Sequence, residues 1–370
     1  MFDWFKKMLA QTDWFLIITI IFLSIFGLLA IYSVALGRGT NELVSFQKQL
    51  VWLLVGIPFC LIVSLIDYRL FKNFAWWGYG LSIFLLILVL TPLGSTINGA
   101  RGWFDLGPAS FQPVELTKIF LIFVLADLCA RYSRNLFRLK DIIFMGVVVL
   151  LPMLLAMIQP DFGSAMVLFF IWLVAFLLVV RKRWQVMLVF LTMASLLLGA
   201  WFFVFEDYQK ERIMVFLDSG RDPRGRGYNV RQSIIAVGAG KFLGRGLGFG
   251  SQSQLKFIPE SQTDFIFAVI AEEIGFVGVF LLLTLFALMF YRFYKSAIRA
   301  PDDFGLFVVL LTSALLFFHI LINIGMCIGL LPVTGISLPL VSYGGSFLLS
   351  ILFLIGMIIN IGRYGSIIRG

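Results

Sequence analysis

Charge is what this chain has least of. Asp, Glu, Lys and Arg make up 13% of its 370 residues, against 61% hydrophobic residues. That balance excludes a soluble enzyme and fits a polytopic helical membrane protein. Histidine is nearly absent: His319 stands alone, so a histidine metal cluster is excluded. The three cysteines, Cys60, Cys129 and Cys327, lie in or at the ends of apolar segments and are odd in number. They read as packing residues rather than a disulfide framework or a zinc site. The stretch before the apolar run 14–37 lacks a small-residue cleavage site, so it does not read as a removable leader. No internal repeat or low-complexity tract stands out, and a single membrane domain over 1–370 is expected.

Nearly uncharged runs fall at about residues 14–36, 49–66, 74–92, 113–130, 142–158, 162–180, 184–205, 264–291, 304–329 and 346–362. A span needs roughly 20 apolar residues. The expectation is therefore an all-α fold of about ten transmembrane helices, with both termini on one side. With the N-terminus cytoplasmic, the inner side holds Lys6, Lys7, Arg69, Lys72, Arg131, Arg134, Arg138, Lys140, Arg181, Lys182, Arg183, Arg292, Lys295, Arg299, Arg363 and Arg369. The short outer loops hold only Arg38, Lys48 and Arg101. That asymmetry supports the orientation. The long segment 206–263 falls outside yet carries nine basic residues, among them Arg212, Arg221, Arg224, Arg226, Arg231 and Lys256, interleaved with glycines. Glycine lets backbone amides approach an anion, and arginine grips phosphate oxygens in a fork. Contact with anionic lipid headgroups is the alternative. A nucleic-acid partner does not suit an outer face.

Polar residues inside the apolar pattern are the candidates for function. Thr263-Asp264 turns the long loop into an apolar helix that also carries Glu272 and Glu273. An acid at a helix centre in a membrane costs about 2.5 kcal/mol or more, so such acids point to function. Thr263 reads as an N-cap, which puts Asp264 in the first turn, where the helix dipole favours its ionised form and apolar surroundings oppose it. At eight residues' separation, Glu272 returns toward the Asp264 face, whereas Glu273 points away and reads as structural. Glu115 and Lys118, three apart, share a helix face behind Pro113; they suit either a buried ion pair or a substrate contact. Arg101 and Trp103 suit either an interfacial anchor or a sugar and phosphate contact. Asp161 is either a turn residue or a second acid. His319 and Asn323, four apart, read as an interhelical polar contact. From Phe304 to Gly362 there is no charge at all, and Pro332, Gly335, Pro339, Gly344 and Gly345 break the run. Irregular backbone at membrane depth must line a cavity or be buried in protein, so 330–345 is expected to line the same outer cavity.

These motifs resemble the SEDS family (shape, elongation, division and sporulation). The resemblance rests on Gln252-Ser-Gln-Leu255 through Pro259-Glu260, Thr263-Asp-Phe-Ile-Phe267 with Ala271-Glu-Glu273, and Pro332-Val-Thr-Gly335 through Ser342-Tyr-Gly-Gly-Ser346. Arg101-Gly-Trp103, Gln112-Pro-Val-Glu-Leu-Thr-Lys118 and Gln159-Pro-Asp-Phe-Gly163 follow the family order too. Gln252-Ser-Gln-Leu255 and the length favour its RodA (elongation) branch over the FtsW (division) branch. Gln262 stands where the family often has His, and Ser337 replaces a frequent proline.

The resemblance implies a peptidoglycan glycosyltransferase. It would join lipid II units into glycan strands, release undecaprenyl diphosphate, and work beside a class B penicillin-binding protein in the elongation machinery. The family's catalytic acid falls on Asp264, a general base for the attacking hydroxyl. Arg101, Trp103, Glu115, Lys118, Asp161, Arg212, Lys256 and Glu272 are the expected substrate contacts. The leaving diphosphate calls for cations or a metal, and a divalent ion, magnesium or manganese, could sit on Asp264 or Asp161. A flippase of lipid-linked precursors and a non-catalytic scaffold for a transpeptidase are the rival readings. The former predicts polar residues continuing to the inner side; the latter needs no acid at 264.

Overall fold

The computed structural model describes residues 12–38, 40–97, 99–107, 109–134, 138–203, 210, 214, 226–255 and 257–369. Among them, ten helices have the length of a span: α1 (Trp14–Arg38), α2 (Thr40–Leu65), α3 (Tyr68–Leu88), α4 (Pro113–Arg134), α5 (Leu139–Ile158), α6 (Phe162–Val179), α7 (Arg183–Phe203), α10 (Ile266–Arg299), α11 (Asp303–Cys327) and α12 (Gly345–Arg369). Two shorter helices, α8 (Arg226–Ala239) and α9 (Ser251–Gln254), precede α10. Eight of the long helices are apolar enough to cross a membrane, and the chain is a multi-pass membrane protein. The eight leave out α4, which carries Glu115, Lys118 and Asp127, and α7.

The core is built on α4, α11 and α12. The run Leu121–Ala126 of α4 is fully enclosed, because α3, α6 and α11 pack around it while α12 lies against α2. One buried polar side chain ties the core helices to a turn. Asn360 of α12 donates to the Ser64 carbonyl at 2.6 Å and accepts from the Tyr68 amide at 3.1 Å, closing the turn between α2 and α3.

One end of the bundle is a belt of ion pairs. Asp127 meets Arg131 at 2.5 Å and Lys72 at 3.8 Å, and Asp13 meets Arg292 at 2.6 Å. Asp302 accepts from the Tyr68 hydroxyl at 2.9 Å. Since Asp13 precedes α1 and Gly365 of α12 packs on the Arg299 backbone, the start of α1 and the end of α12 lie at this end.

Three segments expected as loops are structured. Helix α2 starts at Thr40 rather than near 49, so Lys48 and Gln49 stand on a helix. Residues between α3 and α4 form a small antiparallel sheet, β1 (Ser95–Ile97), β2 (Ala100–Asp105) and β3 (Ser110–Phe111), in that order. Ser95 faces Trp103 and Phe104 faces Phe111 across it. The described second half of the 206–263 segment is not an open loop either. Helix α8 packs on α10 and α11, and its buried Ser233 donates to the Cys327 carbonyl at 2.8 Å. At fourteen residues with two arginines, α8 carries too weak an apolar pattern to read as a packed element from sequence.

The turn after α8 enters a break in α10. Gly275 has φ 72° and ψ −163° inside that helix, a left-handed conformation that only glycine adopts without strain. The backbone carbonyls released there are taken up by the turn: Arg245 donates to Glu272 O at 3.0 Å and Gly246 to Glu273 O at 2.9 Å. On the far side of the break, Phe276 donates to Lys241 O at 3.0 Å and Val277 to Phe242 O at 3.2 Å. A short helix, 266–274, is thereby set apart from the rest of α10.

Candidate active site

Opposite the ion-pair belt the helices splay around a cavity of about 1100 Å³. Its walls come from α2, the β-sheet, the start of α4, the α5–α6 turn, the 260–265 turn and the 333–345 segment. Asp264 lies in the last of the turns before α10. The Glu260 carbonyl accepts from the amides of Thr263, Asp264 and Phe265 at 3.0–3.2 Å, which coils this turn tightly. The N-cap is Phe265 rather than the expected Thr263, and Asp264 stands two residues ahead of the helix.

Asp264 is half-buried, with its carboxyl open to the cavity. Burial pushes that carboxyl up to about 7; the nearby charges of Glu260 and Asp161 add to the rise, and a hydrogen bond from the Thr263 side chain opposes it. Its backbone is clamped from behind. Asn323, fully buried in α11, donates from one amide nitrogen to both Asp264 O and Ile336 O, at 2.8 Å each. The 333–345 segment is tied to the same turn: Ser342 donates to Thr263 O at 2.6 Å and the Tyr343 amide to Gln262 O at 2.9 Å. His319 meets Ser337 O at 3.2 Å and stacks on Phe347. The irregular segment therefore lines the cavity as its glycine and proline content predicts. Gly335, at φ 77°, lies against the Asp264 carboxylate, where a Cβ would come within 3.5 Å.

The other expected site residues divide. Glu115 and Lys118 both line the cavity and also form a buried ion pair at 2.6 Å, with Ser350 donating to the second Glu115 oxygen at 3.1 Å. The pair is thus a buried ion pair set in the cavity wall. Asp161 lines the cavity while capping α6, accepting from Ser164 N at 2.9 Å and Ser164 Oγ at 2.7 Å. Trp103 lines the cavity from β2. Arg101 does not: its Nε donates to Gly94 O at 3.3 Å, holding the sheet's first turn.

Glu272 also lies away from the cavity. It is 0% exposed and accepts from the Gln252 and Ser253 amides at 2.8 and 3.0 Å. Glu273 accepts from Gln254 Nε2 at 3.0 Å and Ser253 Oγ at 3.3 Å. Both glutamates thus hold the Gln252–Gln254 helix, a contact that helical spacing alone does not show. Arg212 and Lys256 lie outside the described residues.

Sequence reasoning passed over Lys48, Trp52 and Glu260, which line the cavity. The signal for the first two was available in the spacing Ser45, Lys48, Trp52 along one helix face, once the start of α2 is set early enough.

The chain as a whole is similar to known proteins. The family model for the FtsW/RodA/SpoVE cell cycle proteins matches residues 13–367, and the chain belongs to that family. The peptidoglycan glycosyltransferase MrdB of Escherichia coli K12 is 35% identical over 364 residues, covering 97% of this chain and 94% of that protein. Stage V sporulation protein E of Bacillus subtilis is 35% identical over 357 residues, covering 94% and 96%. Among solved structures, a chain of a peptidoglycan synthase complex coordinating polymerization and crosslinking superposes with a TM-score of 0.81 at 33% identity, covering 95% of this chain and 98% of that one. The rod shape determining protein RodA of Thermus thermophilus superposes with a TM-score of 0.70 at 30% identity, covering 95% and 97%.

Proposed function

We propose that the cavity polymerises lipid II, with Asp264 as the general base. The chain is a peptidoglycan glycosyltransferase of the elongation type, as its relatives are named. In the reaction the Asp264 carboxylate takes the proton of an acceptor-sugar hydroxyl. The hydroxyl oxygen bonds to the donor's anomeric carbon, and the bond from that carbon to the diphosphate breaks. The products are a longer β-1,4 glycan and undecaprenyl diphosphate. A base acts best when its pKa lies near the working pH, and the raised value of Asp264 meets that condition. The observation that carries the reading is this acid, open to a cavity wide enough for a sugar that Glu115, Lys118, Asp161 and the 333–345 segment also line. A fully buried apolar layer, Leu121–Ala126, lies on α4 beyond Lys118. That layer favours chemistry at one surface over transport through the bundle.

The leaving diphosphate needs positive charge. Among the described lining residues there are five carboxylates, Asp105, Glu115, Asp161, Glu260 and Asp264, against two lysines, Lys48 and Lys118. The basic residues of the 206–263 segment, Arg212 first among them, are the candidates to make up the difference. Among the described residues no three ligating side chains converge to hold a metal ion. A magnesium or manganese ion, were one bound, would be held by Asp264 or Asp161, hard oxygen ligands of the kind such ions take. It would supply charge neutralisation at the leaving group.

The cavity end faces outward and both chain ends are cytoplasmic in this reading, which the Lys and Arg distribution supports. The partner is a class B penicillin-binding protein, consistent with the polymerising and crosslinking complex to which the fold is similar. The test uses the full chain with its transpeptidase partner and labelled lipid II. Asp264→Asn is expected to fold, keep the partner and make no glycan. Polymer at the wild-type rate from this variant overturns the assignment.

A further inference from the structure

The lysines of the cavity are not equivalent. Lys118 is buried and committed to Glu115 at 2.6 Å, so its charge is already neutralised. Lys48 lines the same cavity but is exposed, and among the described residues no carboxylate lies within ion-pair distance of it. It stands on α2 between Ser45, three residues before it, and Trp52, four after it. All three line the cavity, as helical spacing of three and four requires.

This face is held in place by its neighbour. Gln49 donates from Nε2 to Ser342 O at 3.3 Å and accepts from the Gly344 amide at 3.1 Å, a paired contact between α2 and the cavity segment. Trp52 lies so close to Gly345 that a Cβ there would come within 2.5 Å of the indole. The hydroxyl, ammonium and indole are thus presented to the cavity from a fixed backbone.

We propose that Lys48 is the residue that binds the diphosphate of the lipid-linked sugar. Its ammonium pairs with phosphate oxygens, Ser45 adds a hydroxyl donor, and Trp52 offers a flat apolar surface to the group beside the diphosphate. The geometry suits the anion well. A flexible ammonium at an open rim forms charge-assisted hydrogen bonds to phosphate without a costly buried charge. This inference rests on the glycosyltransferase reading and adds the diphosphate contact to it.

The test compares wild type, Lys48→Ala, Lys48→Arg and Asp264→Asn, each as the full chain with its transpeptidase partner. Polymerisation of labelled lipid II is measured in nonionic detergent and again in vesicles with and without anionic phosphatidylglycerol. Loss of one hydrogen bond to a charged group corresponds to about a tenfold effect or more. Lys48→Ala is expected to raise KM about tenfold with a much smaller fall in kcat, and to weaken inhibition by added undecaprenyl diphosphate by a similar factor. Lys48→Arg restores both, and the two Lys48 variants melt at the wild-type temperature.

An unchanged KM in Lys48→Ala overturns the proposal. So does a loss of kcat with a lowered melting temperature, which marks a structural role. A defect seen only with phosphatidylglycerol present assigns Lys48 to bilayer headgroups and overturns it as well. The polymerase reading fails separately, if Asp264→Asn stays active.

Discussion

If Asp264 is the base, the pH profile of the enzyme is set by its surroundings. The carboxyl stands at about 7 instead of the ordinary 3.8. About one in eleven such groups is ionised at pH 6 and about ten in eleven at pH 8. Because only the ionised form accepts a proton, kcat/KM on lipid-linked substrate should rise about tenfold over that interval and level off above it. An aspartate at its ordinary value would give a flat profile there.

The causes can be separated by one substitution. Glu260 is exposed on the same turn and accepts a hydrogen bond from Thr263 Oγ1 at 3.1 Å. Glu260→Gln removes its charge and keeps an acceptor oxygen. The rising limb should then move to lower pH, by less than the full elevation, because burial is the larger cause. Initial rates on a fluorescent lipid II, taken from about pH 5.5 to about pH 9, decide the matter. A flat wild-type profile, or a limb displaced to higher pH by Glu260→Gln, would refute the reasoning.

The same elevation acts on stability. A folded carboxyl that holds its proton to higher pH than the unfolded one weakens the native state as pH climbs from about 4 to about 7. Asp264→Asn should therefore melt above wild type at pH 8 and not at pH 4.

Two further outcomes follow from the packing. Lys118→Met leaves Glu115 buried without its counter-charge and should cost about 3–5 kcal/mol; the double change Glu115→Gln with Lys118→Met should recover most of it, read by thermal unfolding in detergent. Gly275→Ala forces a Cβ within 2.2 Å of the Gly244 amide at a left-handed backbone position. It should destabilise by at least about 1–3 kcal/mol, seen as a lowered melting temperature.

The sequence carried the bundle because long uncharged runs leave few alternatives in a membrane. It carried Asp264, Asp161 and the Glu115–Lys118 pair because a charge among apolar residues stands out whatever its partners. It carried the 332–346 segment because proline and glycine cannot continue a helix. Lys48 was hidden by the same logic: a lysine and two glutamines near a helix start read as loop, although the helix runs on past them to Thr40. The roles of Glu272 and Arg101 were hidden because their partners, the Gln252 and Ser253 amides and Gly94 O, are backbone groups. A pattern of side chains carries no signal for those. Helix α8 was missed because its burial comes from α10 and α11 rather than from its own composition.

The joint at Gly275 has a consequence for how sequence change is borne. Main chain meets main chain there, four amides against four carbonyls, much as a tenon fits a mortise. The side chains of Lys241 and Phe242 are exposed and take no part in those four bonds, whereas a single added methyl at Gly244 or Gly275 pries the joint open. That joint sets the short helix 266–274, which follows residue 264, apart from the long shaft of helix beyond it.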